Sequence, residues 1–238
     1  MTPAMTDAYY QLPTGNVLAL NRHNAFPPLH QALTEPNGLI AIGGELTMTR
    51  LLDAYQQGIF PWFSEGEPIL WWSPHPRMVL YPEELKVSRS LSKTIHKQLF
   101  EVRINTAFRE VITACSATPR PQQSGTWISP AMIDAYCELH AAGYAISVES
   151  WQNGVLVGGC YGIQIQRMFY GESMFHHVSE ASKVAFVHLV QYLIQQDVGL
   201  IDCQMRTPLL TQFGGREIER DLFIQQLQTL TQAQHDAP

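Results

Sequence analysis

Apolar residues recur every three to four positions in some stretches of the chain and at every second position in others. That division lays out most of the predicted elements. In TMTRLLDAYQQG, residues 47–58, Leu51, Leu52 and Tyr55 share a helical face, with Thr47 as cap and Gly58 as terminator. Before residue 45 neither period is sustained, prolines recur and an Asn-Gly pair stands at 37–38, so that segment is predicted to be irregular. Residues 59–82, IFPWFSEGEPILWWSPHPRMVLYP, hold three tryptophans and five prolines. Proline stiffens the chain and removes backbone donors, so an aromatic, shaped loop is expected there in place of regular structure. The change of texture near residue 80 predicts a small N-terminal domain, 1–79, and a larger one, 80–238.

From residue 87 helical and extended patterns alternate. Helix 88–99 is followed by the strand FEVRI and helix 106–115, and Ser129-Pro130 makes a cap and first turn for helix 130–142. The strands YAISVESW and VLVGGCYGIQI flank Asn153-Gly154, a strong hairpin signal, and RMFYGES reads as a neighbouring strand. Helix 179–196, with Ser179 as its cap, strand 199–203 and two short helices complete an α+β pattern. A Gln-rich tail, expected to fray, ends the chain.

Composition narrows the function classes. With 45% apolar residues in 238, the chain has material for a substantial core. A net charge of −6 and a pI near 5.8 exclude a globally basic nucleic-acid binder. Against that background one basic stripe stands out: Arg89, Lys93 and Lys97 recur every four residues on one helical face, with Leu91 and Ile95 off it. Such a stripe is either a solvated face or a local phosphate-binding surface. The four cysteines (Cys115, Cys137, Cys160, Cys203) are widely spaced and form no C-x-x-C pair, which suits a reducing compartment better than disulfides or zinc. The N-terminus lacks the charge and apolar pattern of a secretory leader, and no apolar run approaches a membrane span. The expectation is a soluble, cytoplasmic protein.

Candidate chemistry gathers at strand ends. In GLIDCQMRTP, residues 199–208, strand alternation places Asp202 and Gln204 on one face and Ile201 and Cys203 on the other. The pair either caps the next helix and bonds a loop, or forms part of a site, since ligands of open sheets gather at strand ends. Glu172, in GESMF, is either a solvated turn carboxylate or the partner of a cationic substrate group. His176-His177 is poor metal-binding material, because adjacent residues of an extended chain point apart. Cys203 is expected to be buried and structural, and Gly158-Gly159 to mark a bulge or a close approach of backbone.

In order along the chain, PNGLIAIGGEL, LLDAYQQGIFPWF, PILWWSPHPR, GTWIS, AYCELHAAGYAISVESW, LVGGCYGI, FYGESMF, ASKVAF and LIDCQ resemble the leucyl/phenylalanyl-tRNA–protein transferases. The quoted segments run from residue 36 to 204, and the resemblance extends to about 220. The resemblance implies an enzyme that moves Leu or Phe, and less readily Met, from aminoacyl-tRNA to the N-terminal Arg or Lys of a protein, making an N-degron. It implies a larger domain similar to the GCN5-related N-acetyltransferases, no cofactor and no metal, with aminoacyl-tRNA and acceptor proteins as partners, no membrane, and a monomer. By position, Asp202 and Gln204 match the catalytic pair, Glu172 the acceptor-binding glutamate, and Trp62 and Trp127 the aromatics at the aminoacyl-adenosine end. Cys160, Phe169, Met174, Phe186, Leu189 and Ile201 are expected to line an apolar pocket for the donor side chain, and Arg89, Lys93 and Lys97 to meet acceptor-stem phosphates.

This chain departs from the usual pattern in places. His176 stands where the family commonly has Ser, Ile146 where His is common, and Cys160 where Met is common; Phe186 and Leu189 resemble an exchanged Leu/Phe pair. Two alternatives remain. An acyl-CoA-dependent N-acetyltransferase needs an R/Q-x-x-G-x-G/A loop before a helix, which this sequence lacks, and a non-catalytic tRNA-binding protein is separated by a turnover test.

Overall fold

The structure, a computed structural model, describes residues 8–118 and 126–232. The end of the Gln-rich tail lies outside the described residues. Strands β1 (Tyr9–Leu12) and β2 (Gly15–Leu20) form an antiparallel hairpin, and β2 runs parallel to β3 (Leu39–Gly43). Helix α1 (Met48–Gln56) follows, capped by the Thr47 hydroxyl, which accepts the Arg50 N–H. After β4 (Phe60–Pro61), β5 (Leu70–Trp72) returns antiparallel to both β3 and β4. The sheet order is β1-β2-β3-β5-β4.

Regular strands therefore occupy ground expected to be irregular on both sides of α1. Short length and distant pairing hid them: β3 is apolar on both faces, so it shows no alternation, and its partner β5 lies across the whole of α1. In the Pro-rich stretch, the prolines flank β5 and leave its backbone donors intact.

The second sheet begins with β6 (Arg77–Leu80), so the chain changes sheets between residues 72 and 77. It continues through α2 (Arg89–His96), β7 (Glu101–Ile104), α3 (Phe108–Ala117), α4 (Pro130–Ala141) and β8 (Ala145–Gln152). Then come β9 (Val155–Ile165), β10 (Met168–His176), α5 (Ala181–Gln195), β11 (Leu200–Gln204), α6 (Pro208–Gln212), β12 (Arg216–Ile218) and α7 (Arg220–Thr231). The order β12-β6-β11-β10-β9-β8-β7 is antiparallel throughout, except that β10 and β11 run parallel with α5 crossing between them. The fold is mixed α+β.

Both faces of this sheet are covered. Phe108, Val111, Met132 and Tyr136 of α3 and α4 pack with Tyr161, Tyr170 and Phe175 in a core that also takes in Leu51 and Tyr55 of α1 and Trp71 of β5. On the other face α5 buries Val184, Phe186 and Leu189 against Val148, Cys160, Phe169 and Ile201.

Local sequence accounts for much of this. Asn153 and Gly154 both have positive φ (52° and 77°), the conformation that a two-residue hairpin turn of matching twist requires. Ser129 caps α4 through the Met132 N–H. Helix α5 does not use Ser179 as its cap. The His177 and Val178 N–H groups are both tied to the Val157 carbonyl, and the chain enters the helix through Glu180 at φ +70°. The glycine at 158 allows that tight path: a Cβ there would lie 2.5 Å from the Ala181 Cβ.

Candidate active site

Where β9, β10 and β11 face α5 and the aromatic segment around β4, they enclose a cavity of about 430 Å³, a size suited to a small ligand. Cys160, Met174, Phe186, Leu189 and Ile201 give it an apolar wall, and Trp62 and Trp127 line it as well. Trp62 is fixed by its neighbour: the Trp72 indole N–H donates to the Trp62 carbonyl at 2.7 Å, and the two rings meet edge to face at 5.8 Å. Glu172 and Gln204 supply polar groups to the same cavity.

Glu172 is held by two tyrosines. The Tyr55 hydroxyl donates to its Oε1 at 2.7 Å and the Tyr136 hydroxyl to its Oε2 at 3.2 Å, while the two hydroxyls lie 2.5 Å apart. The Gln204 Nε2 donates to Glu172 Oε1 at 3.4 Å. Burial pushes the Glu172 carboxyl up to about 7, against the opposing pull of the two phenolic hydrogen bonds. Glu172 is thus no solvated turn residue. It is a carboxyl poised between its charged and neutral forms at neutral pH.

Asp202 lies elsewhere than its sequence position suggests. It is fully buried, outside the cavity lining, and clamped by Arg77, whose Nε and Nη2 reach its two oxygens at 2.8 and 2.7 Å. Its Oδ1 also accepts the Gln204 backbone N–H at 2.9 Å. Strict alternation predicts one shared face for Asp202 and Gln204, but β11 bulges against β6 between them, and Gln204 adopts φ +56°. A bulge re-aims the side chain after it. As a result Gln204 joins Ile201 and Cys203 in lining the cavity, while Asp202 points away from it. Burial pushes the Cys203 and Cys160 thiols up, which keeps both neutral and poor as nucleophiles.

Phe169 does not reach the cavity either. It is fully buried in the core behind, with its ring 2.5 Å from where a Cβ on Gly162 would stand. Arg89, Lys93 and Lys97 are all exposed along α2 and its C-terminal cap, with Leu91 buried beneath them. None of the three touches the cavity. His176 and His177 are exposed, and among the described residues no three His, Cys, Asp or Glu side chains gather in a metal-binding cluster.

Sequence reasoning missed three residues: Arg77, Tyr55 and Tyr136. Tyr55 was legible only as an apolar position of α1. Arg77 offered one cue, a charge directly before the apolar run Met78-Val79-Leu80.

Fold and site together define an α+β protein with an apolar-walled cavity that has a carboxyl and a carboxamide among its lining groups. Residues 79–228 match the family described as leucyl/phenylalanyl-tRNA protein transferase, and residues 44–75 match the N-terminal domain of that family. The chain belongs to the leucyl/phenylalanyl-tRNA–protein transferase family. It is 59% identical over 199 residues to the leucyl/phenylalanyl-tRNA–protein transferase of Chromobacterium violaceum, covering 84% of this chain and 85% of that one. To the transferase of the same name from Nitrosomonas eutropha it is 58% identical over 206 residues, 87% of this chain and 88% of the other. Among solved structures, L-PGS from Bacillus licheniformis aligns with a TM-score of 0.41 at 10% identity, over 84% of this chain and 66% of that one; so distant a likeness carries no argument.

Proposed function

We propose that the protein transfers leucine or phenylalanine, and less readily methionine, from aminoacyl-tRNA to the N-terminal Arg or Lys of acceptor proteins, marking them for degradation. The observation that carries this reading is the cavity itself, an apolar wall with Glu172 and Gln204 beside it, in a chain of this family. The donor is an activated ester. The nucleophile is an α-amine with an ordinary pKa of roughly 7.7–8, so a usable fraction is neutral near pH 7. The protein's main task is alignment of amine and ester, which can lower the barrier by several kcal/mol.

Each group takes a distinct part. Cys160, Met174, Phe186, Leu189 and Ile201 receive the donor side chain, and Phe169 supports them from behind. Trp62 and Trp127 offer flat faces to the terminal adenosine. Glu172 attracts the cationic acceptor terminus, whose approach favours the ionised carboxylate. With its Nε2 turned towards Glu172, Gln204 offers its carbonyl oxygen to a hydrogen of the attacking amine. An amide is far too weak a base to take that proton outright, so Gln204 positions the amine; as the new C–N bond forms the ester C–O bond breaks, and the proton passes through solvent to the departing ribose oxygen of the tRNA. Asp202 acts through Gln204, by holding its backbone N–H. Arg89, Lys93 and Lys97 meet acceptor-stem phosphates away from the cavity.

In this reading the larger unit is an acetyltransferase-like scaffold; the parallel β10–β11 pair with its α5 crossover supports that, and the change of sheets between 72 and 77 favours a division a few residues before 80, because β6 (Arg77–Leu80) belongs to the second sheet. No helix among the described residues is long and apolar enough to cross a membrane, and charged tRNA as donor implies a reaction in the cytoplasm. The test is a transfer assay with radiolabelled Leu-tRNA and peptides beginning with Arg, Lys or Ala. Label should pass to the Arg and Lys peptides and not to the Ala peptide. No transfer to any of the three overturns the proposal.

A further inference from the structure

Arg77 is a fully buried guanidinium far from the cavity in sequence, and no step of the proposed reaction uses it directly. It sits where β6, β4, α7 and β11 meet. Its guanidinium carbon lies 5.0 Å from the centre of the Phe60 ring and 4.6 Å from that of Phe223, and Phe60 itself lines the cavity. The register explains its reach. Val79 pairs with Asp202 and Met78 with Gln204, so Arg77, two residues before Val79, lies on the Asp202 side of the sheet as its diagonal neighbour.

A buried ion pair is weak evidence for stability, because desolvation offsets most of the attraction and an apolar pair of similar volume often serves as well. This one leaves Arg77 Nη1 without a partner among the described residues, a further sign that the fork is not placed for stability alone. Geometry suggests what it fixes. Asp202 Oδ1 accepts from two donors, Arg77 Nε at 2.8 Å and the Gln204 backbone N–H at 2.9 Å, while Arg77 Nη2 holds Oδ2 at 2.7 Å. Two parallel hydrogen bonds lock the plane of the carboxylate. That plane fixes the position of Oδ1, and Oδ1 secures the peptide N–H of a residue whose left-handed φ of +56° is sparsely populated for an L side chain.

We infer that Arg77 is a positioning residue for the transfer reaction: through the two-pronged clamp on Asp202 it holds Gln204 in the left-handed conformation that aims the Gln204 side chain into the cavity. The inference rests on the reading of Gln204 as the group that orients the attacking amine. Lysine cannot replace the fork, because an ammonium is a point charge that leaves the carboxylate free to rotate.

The experiment compares wild type, Arg77→Lys, Gln204→Ala and the double variant in single-turnover transfer from Leu-tRNA to an Arg-peptide, followed for hours. Thermal melting and Leu-tRNA affinity are recorded for each. Arg77→Lys should slow the bond-forming step at least tenfold, with acceptor KM and tRNA affinity within twofold of wild type. In the Gln204→Ala background the same change should alter the rate less than twofold, because its route to the amine is already gone. Arg77→Met/Asp202→Asn removes both charges and keeps the fold testable should Arg77→Lys unfold; it too should transfer at least tenfold more slowly. A wild-type rate in Arg77→Lys or in the neutral pair overturns the inference, as does an equal slowing with and without Gln204. Absence of transfer by the wild type is a different result, and overturns the proposed function instead.

Discussion

Replacing Glu172 by Gln isolates a cavity carboxyl, the one carboxyl among the described lining residues, whose pKa burial raises to about 7. In the unfolded chain a glutamate titrates near about 4.3. Between those two values the folded state binds more protons than the unfolded state, so this group's contribution to stability falls as pH rises, and has gone once pH passes the folded value. A tenfold change in proton affinity corresponds to about 1.4 kcal/mol, which puts the change across the window at roughly 3 kcal/mol. Glutamine does not titrate, and its carbonyl oxygen can still accept from Tyr55 or Tyr136. Urea unfolding of wild type and Glu172→Gln at pH 5, 6, 7 and 8 measures the effect. Other ionisable groups cancel in the difference between the two proteins. Relative to the variant, the wild type should lose roughly 3 kcal/mol between pH 5 and pH 8, with the urea m-value unchanged. Parallel stability curves would mean that Glu172 titrates normally in the folded state, and that burial does not create a poised carboxyl.

The same substitution should raise KM for an Arg-peptide at pH 8 while moving kcat little, measured by steady-state transfer, because it removes the acceptor's charge partner and leaves Gln204 in place. Tyr55→Phe deletes the hydroxyl that bridges Glu172 and Tyr136; chemical unfolding should show a loss of about 1–3 kcal/mol, the cost of stranding buried polar groups. Lys93→Ala/Lys97→Ala should weaken different charged tRNAs alike and flatten the plot of log affinity against log salt by about one unit per contact, read by filter binding. In competition assays, Lys- or Asp-charged tRNA should be rejected far more strongly than Met-charged tRNA, since a methylene in such a pocket is worth only ~1–3 kcal/mol.

Local chemistry made the seven-stranded sheet legible. Asn153-Gly154 could hardly be anything but a turn between two alternating runs, and Ser129-Pro130 carried its helix cap in the sequence itself. The five-stranded sheet was obscure because its strands are short and pair across long stretches of chain, as β3 does with β5. At the site, the residues of the LIDCQ strand end were readable but their directions were not. Alternation holds as far as Cys203, which shares the cavity side with Ile201 while Asp202 faces Arg77; the bulge before Gln204 then turns Gln204 to the cavity side as well. Phe169 failed as a lining residue for a related reason. An apolar residue next to a pocket and one behind it look alike in sequence, and only the close packing on Gly162 separates them. Arg77 meets Asp202 across 125 positions, and Tyr55 meets Glu172 across 117. No local period encodes contacts of that span.

Gln204 is where the proposed chemistry and the geometry converge, and Gln204→Ala tests the account most directly. The measurement is single-turnover transfer of radiolabelled Leu from Leu-tRNA to an Arg-peptide, run beside Leu-tRNA binding and thermal melting of the same preparation. A folded variant that binds Leu-tRNA like the wild type and transfers at least a hundredfold more slowly is the expected result, since lost alignment can remove several kcal/mol of catalysis. A folded, tRNA-binding Gln204→Ala that transfers within a few-fold of wild type would contradict it, and would make the bulged end of β11 a structural feature with no part in forming the bond.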